Sequence, residues 1–236
     1  MMPDQQLRKT LIRVPAAAML LLAILPAAVF GAAEPFKDSS NSYAKQEIAS
    51  LTQSGMISGY GDGTFQPKKE MTRAELAKII VKSMGVSEQP EMAASFKDVK
   101  PDCWCVGYIG ALVAMGITKG TSETEFSPEA PITRQELVVF FIRAFGLEDA
   151  AENIKKKANL SDMKDVSKYA LNDVSLAYQI GFVNGIENAD GSLRFDPNEY
   201  AERQALARLA YEFITNKPAY LDKAATLTGG KTGSDE

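Results

Sequence analysis

The chain has 236 residues, 45% hydrophobic and 24% charged, with a formal net charge of −4. This is ordinary globular composition, and the negative balance argues against a broad nucleic-acid-binding surface. There is no histidine, which removes the usual general base, the usual metal ligand and every histidine-based triad.

The N-terminus opens with Arg8, Lys9 and Arg13, followed by an apolar run from Val14 to Phe30 and the small residues Gly31, Ala32 and Ala33. This is the layout of a secretory signal peptide over residues 1–33, cut near Ala33; a retained membrane anchor is the alternative. No later stretch approaches the roughly 20 apolar residues that span a bilayer, so the expected product is exported and soluble.

A unit then repeats three times. Aligned on glycine, the copies carry Gly55 and Gly59, Gly116 and Gly120, Gly181 and Gly185. Phe65-x-Pro67, Phe126-x-Pro128 and Phe195-x-Pro197 follow, and then Arg73, Arg134 and Arg203. Four extra residues lie between Gly185 and Phe195, and four more between the second and third units. A near-fixed period with insertions in loops marks a repeat architecture.

Each unit predicts two helices. The first carries Tyr43, Ile48 and Leu51, then Trp104, Ile109 and Leu112, then Tyr169, Val174 and Ala177. Gly55, Gly116 and Gly181 suit the left-handed residue that ends such a helix. The second helix opens on Thr72-Arg73-Ala74-Glu75 and Thr133-Arg134-Gln135-Glu136, both capping boxes. Leu76, Ile79 and Ile80, Leu137, Phe140 and Phe141, and Leu206, Leu209 and Ala210 then recur at core-helix spacing. In the third unit Glu202 and Ala205 replace the capping residues, yet Arg203 remains.

Capping explains the threonine and the glutamate but not the arginine, which faces the positive end of the helix dipole. Two readings are open. One is a structural salt bridge, for instance to Asp38, Asp98 and Asp162. The other is an anion site, in which the guanidinium joins free helix N–H groups around a carboxylate or phosphate.

A calcium-loop reading of Asp62 or of Asn188-Ala189-Asp190-Gly191 fails for want of alternating carboxylates and a terminal glutamate. Cys103 and Cys105 are the only cysteines. Two cannot complete a four-ligand zinc site. Placed on a helix they point to different sides, which makes an internal bridge strained and leaves free thiols or an intermolecular bridge. No metal and no cofactor is expected.

With these residues in hand, the chain resembles the S-layer homology (SLH) domain family, as three tandem repeats. The first unit carries the signature almost whole: Phe36-Lys37-Asp38, Tyr43, Ser58-Gly59-Tyr60-Gly61-Asp62-Gly63-Thr64-Phe65, Pro67 and Thr72-Arg73-Ala74-Glu75. The second has Phe96-Lys97-Asp98-Val99, Trp104, Phe126, Pro128 and Thr133-Arg134-Gln135-Glu136. The third departs most, with Leu160-Ser161-Asp162-Met163 and Glu202-Arg203-Gln204-Ala205.

The resemblance implies an all-α fold of three helix–loop–helix repeats, in a pseudo-threefold assembly around a central helical bundle, with grooves between adjacent units. The repeats would span residues 34–88, 94–150 and 158–215, with a flexible tail over 216–236. The implied function is non-catalytic: anchoring to the cell surface by binding secondary cell-wall polysaccharide through an acidic, pyruvylated terminal sugar. The implied ligand contacts are Arg73, Arg134 and Arg203. Asp38, Asp98 and Asp162, with Tyr43, Trp104 and Tyr169, would shape or line the grooves. Gly59, Gly120 and Gly185 would allow close backbone approach. The departures in the third unit imply weak or absent binding in its groove.

The alternative of another class is a structural adaptor, whose partner is a cell-surface protein met through the tail or the Cys103/Cys105 region. An enzyme acting on the wall would have only Glu75 and Glu136 as paired carboxylates, and capping already accounts for both.

Overall fold

The computed structural model describes residues 35–229. The signal-peptide reading falls outside these residues. Within them the fold is all-α: the only strands are the two-residue pair β1 (Ile186–Glu187) and β2 (Leu193–Arg194). No described helix is long and apolar enough to cross a membrane.

The first helices are α1 (Lys45–Gln53), α3 (Val106–Ala114) and α6 (Leu171–Gln179), and the second helices are α2 (Arg73–Met84), α4 (Arg134–Phe145) and α7 (Arg203–Thr228). A short α5 (Glu148–Glu152) follows α4 and occupies the longer connection noted in the sequence. The insertion between Gly185 and Phe195 is the β1–β2 hairpin, with Ile186 opposite Arg194 and Glu187 opposite Leu193.

Local chemistry explains these elements. The first helices lack side-chain caps, and each ends where a glycine takes positive φ: Gly55 at 70°, Gly116 at 73° and Gly181 at 78°. The next N–H then reaches back into the last turn, as from Met56 to the Leu51 carbonyl at 2.9 Å. The α2 and α4 capping boxes form as expected, from Thr72 with Glu75 and from Thr133 with Glu136. Glu202 begins α7 with no side-chain cap.

The predicted stripes are core. Ile48, Ile80, Ile109, Leu112, Phe141, Val174 and Ala210 are sealed from solvent. Helix α4 is the most enclosed, with Leu137, Val138, Val139, Phe140, Phe141 and Ile142 all buried.

The units are stitched together at the starts of the second helices. The Met71 N–H donates to the Ala201 carbonyl, Ala201 to Ile132, and Ile132 back to Met71, at 3.0, 2.8 and 3.0 Å. Three residues, one from each unit, thus close a ring. The Arg73, Arg134 and Arg203 N–H groups donate to the carbonyls of Ala130, Glu199 and Lys69. Those of Ala74, Gln135 and Gln204 donate to Pro128, Pro197 and Pro67. The N–H groups expected to be free for an anion are therefore already satisfied by the neighbouring unit. A helix start buried in a protein must find such partners.

Two other expectations are corrected. Residues 216–228 are not a tail: α7 continues for 26 residues, through Pro218, to Thr228. Tyr220 and Ala224 are buried, and the Tyr220 ring lies 5.3 Å from that of Phe182 and 5.8 Å from that of Phe145. Aromatic burial holds this half of the helix down. Cys103 and Cys105 are joined to each other by a disulfide. They lie in the turn ahead of α3, not on a helix, so the helical geometry that opposed an internal bridge does not apply.

Candidate functional site

The three arginines each reach into the following unit in the same way. Nε of Arg73, Arg134 and Arg203 donates to the carbonyls of Phe126, Phe195 and Phe65 at 2.9, 2.8 and 2.9 Å. Each guanidinium also lies over the ring of that phenylalanine, at 5.0, 5.1 and 4.5 Å. The arginine thus reads the Phe-x-Pro loop of its neighbour.

The next contact separates the three. Arg73 Nη1 pairs with Glu136 Oε1 at 2.9 Å, and Arg203 Nη1 pairs with Glu75 Oε1 at 2.7 Å. These are the capping-box glutamates, whose Oε2 atoms accept the Thr133 and Thr72 N–H groups at 2.9 Å. Each carboxylate therefore ties its own helix start to a neighbour's arginine. The equivalent partner for Arg134 would stand at position 205, which is alanine. Arg134 makes no ion pair among the described residues, and its Nη atoms have no hydrogen-bond partner there.

Burial pulls the pKa of the Arg73 and Arg134 guanidinium groups below the ordinary value, and Glu136 opposes this for Arg73. Neither deprotonates. Arg73 is only 4% exposed, so it serves the junction.

The structural salt bridge thus exists for Arg73 and Arg203, but with glutamates; the Asp38, Asp98 and Asp162 carboxylates suggested as partners make no ion pair with the arginines. Asp38 accepts the Phe65 and Gln66 N–H groups at 2.8 and 2.9 Å. Asp98 does the same for Phe126 and Ser127, and Asp162 for Phe195 and Asp196. Gln66, Ser127 and Asp196 have φ of 56°, 60° and 56°. The carboxylate holds a strained left-handed residue just before the proline. Gly59 and Gly120 serve the same loops. A Cβ at Gly59 would sit 2.2 Å from the Phe36 ring, and one at Gly120 would sit 2.5 Å from that of Phe96. Gly185 faces Leu160 and Leu193 instead.

Tyr43, Trp104 and Tyr169 stand just ahead of the first helices and are 61%, 52% and 57% exposed. In two places such an aromatic meets an arginine and a second-helix start from the other two units. Arg134, Ala205 and Tyr43 line a cleft of about 540 Å³, with Asn184, Tyr200 and Arg208. Arg203, Glu75 and Trp104 line a second one of about 170 Å³, with Ser58, Tyr60 and Lys78. The third set, Arg73, Glu136 and Tyr169, is linked electrostatically, and its arginine is closed in by Glu136. Each site draws on all three units, so the third unit's Glu202 and Ala205 fall in the Arg134 cleft rather than in a groove of its own.

Two basic residues escaped the sequence reading. Lys78 and Arg208 occupy the same place in α2 and α7, where α4 has Val139. The signal was a charge interrupting an otherwise apolar stripe. Among the described residues no cluster of acidic or cysteine side chains could hold a metal.

The S-layer homology domain matches residues 35–77 and 95–138. These two stretches are members of that family. The chain is 33% identical to the Surface-layer 125 kDa protein of Lysinibacillus sphaericus, over 86% of this chain and 17% of that one. It is 30% identical to Exoglucanase XynX of Acetivibrio thermocellus, over 83% and 18%. It is 26% identical to the Middle cell wall protein of Brevibacillus brevis, over 52% and 12%. The chain spans under a fifth of the length of these relatives. The matched region is a cell-surface anchoring module, and the chain is a secreted protein of the cell surface or wall.

Proposed function

We propose that the described region binds secondary cell-wall polysaccharide through an acidic, pyruvylated terminal sugar, without catalysis, and that the Arg134 cleft is its main site. Residues 158–215 act as a third S-layer homology repeat, and the three units form a pseudo-threefold body. The ring through Met71, Ile132 and Ala201 and the matched arginine contacts support that arrangement.

The observation that carries the reading is the unpaired Arg134 guanidinium in a cleft able to hold a sugar. Its Nη atoms suit a carboxylate. Tyr43 supplies an exposed ring for a sugar face, while Asn184, Glu199 and Glu202 offer groups for hydroxyls. The Arg203 cleft is the secondary site: Glu75 neutralises the arginine, and Lys78 restores a positive charge. The Arg73 set is closed. Glu75 and Glu136, the carboxylates weighed for hydrolysis, are each engaged by threonine and arginine.

Co-sedimentation with purified wall sacculi tests this. The wild-type protein pellets with walls. Arg134→Ala weakens the interaction by about tenfold or more, the worth of a charge-assisted contact. Pelleting by that variant at wild-type strength would remove the assignment.

A further inference from the structure

The Cys103–Cys105 bridge encloses Trp104, one of the three exposed groove aromatics. The sister positions show what it replaces. In the first unit the residues around Tyr43 are Ser42 and Ala44, and the Ala44 N–H donates to Ser42 Oγ at 3.1 Å. In the second unit the Cys105 N–H points at Cys103 Sγ, also at 3.1 Å. The third unit has Lys168 and Ala170 around Tyr169. Ala44, Cys105 and Ala170 are all fully buried. The turn therefore needs only a small buried residue after the aromatic. The covalent bond is an addition peculiar to the second unit, placed across Trp104, which lines the Arg203 cleft.

Trp104 lines that cleft with Arg203 and Lys78, and the Lys78 ammonium lies 5.6 Å from the ring centroid. Cys103 is partly exposed while Cys105 is sealed, so an external thiol meets Cys103 first.

We propose that the Cys103–Cys105 disulfide is a redox-sensitive lock that positions Trp104 in the Arg203 cleft, and that its reduction frees the ring and weakens acidic-glycan binding there. The binding consequence rests on the function proposed above. A low-molecular-weight thiolate attacks Cys103 Sγ, the protein S–S bond breaks, and Cys105 leaves as a thiolate that takes up a proton. A second thiolate attacks the mixed disulfide, releasing Cys103 as a thiol after protonation. In sum, two external thiols are oxidised to one disulfide while the protein disulfide is reduced to two thiols. An exported chain can keep the bond closed until it meets such a reductant.

Trp104 is the only tryptophan, so emission under tryptophan-selective excitation reports this site alone. Dithiothreitol added to the purified protein shifts the emission and increases acrylamide quenching as the two thiols appear. It also weakens wall binding by about threefold to tenfold, the worth of one ordered aromatic contact. The double variant Cys103→Ser with Cys105→Ala, which copies the Ser42–Tyr43–Ala44 arrangement, starts at the reduced emission and ignores dithiothreitol. Unchanged emission and quenching after full thiol release would overturn the lock. Altered emission with unaltered wall binding would overturn its role in recognition. The emission measurement needs no glycan, so it decides the lock even if the oxidised protein ignores walls, an outcome that would sink the binding reading alone.

Discussion

Arg73, Arg134 and Arg203 share a sequence position, a carbonyl partner and an aromatic ring, but not a counter-ion. One residue, alanine rather than glutamate at 205, leaves Arg134 unpaired. Arg73→Ala should therefore destabilise the fold by about 3 kcal/mol, because it strands a partly buried Glu136, and leave wall binding unchanged in the folded protein. Thermal unfolding and co-sedimentation read the two effects separately. That the arginine had a task beyond helix initiation was legible in the sequence, since Arg203 persists where its capping box is lost. Its partner was not. The pairing joins residues 63 and 128 apart, and only the folded ring brings them together. The aspartates were misassigned for the same reason: a carboxylate that clamps a Phe-x-Pro loop and one that pairs with arginine look identical in a linear chain.

Among the elements, the second helices and their caps were readable because capping boxes and apolar stripes are local patterns. The continuation of α7 was not, since Gly229 and the polar residues around it suggested a loose end. The signal was present in Phe213, Tyr220 and Ala224, which share one helical face. Tyr220→Ala should cost about 3 kcal/mol or more by leaving a void beside Phe145 and Phe182, as measured by denaturant unfolding. Helix α6 holds a second test. Asp173 is 8% exposed, and burial raises its pKa from 3.8 to about 6, an effect Arg143 only partly offsets while Glu148 and Glu152 add to it. The folded state thus binds this proton more tightly than the unfolded one. Stability from this group is present below about pH 4 and is lost as pH rises to about 6. Asp173→Asn, which nearly keeps the carboxyl's shape, should raise the melting temperature at pH 7.5 and lose that advantage at pH 4. Equal effects at both values would contradict the assigned cause.

At the scale of the whole molecule, the ring closes between the last unit and the first through Met71 with Ala201, Arg203 with Lys69 and Arg203 with Glu75. Units that share their helix starts cannot unfold singly, so calorimetry should show one transition. Repetition was plain in the sequence; closure was not, because a linear stack and a closed ring have the same period. Closure is what makes each cleft a joint product of three units, and so lets Ala205 of the third unit expose the arginine of the second. The most direct test of that claim is titration of a pyruvylated disaccharide into wild-type protein and Ala205→Glu by calorimetry. The new glutamate should pair with Arg134, keep or raise the melting temperature, and lower affinity at the main site by about tenfold or more. Wild-type affinity in a folded Ala205→Glu protein would contradict that claim.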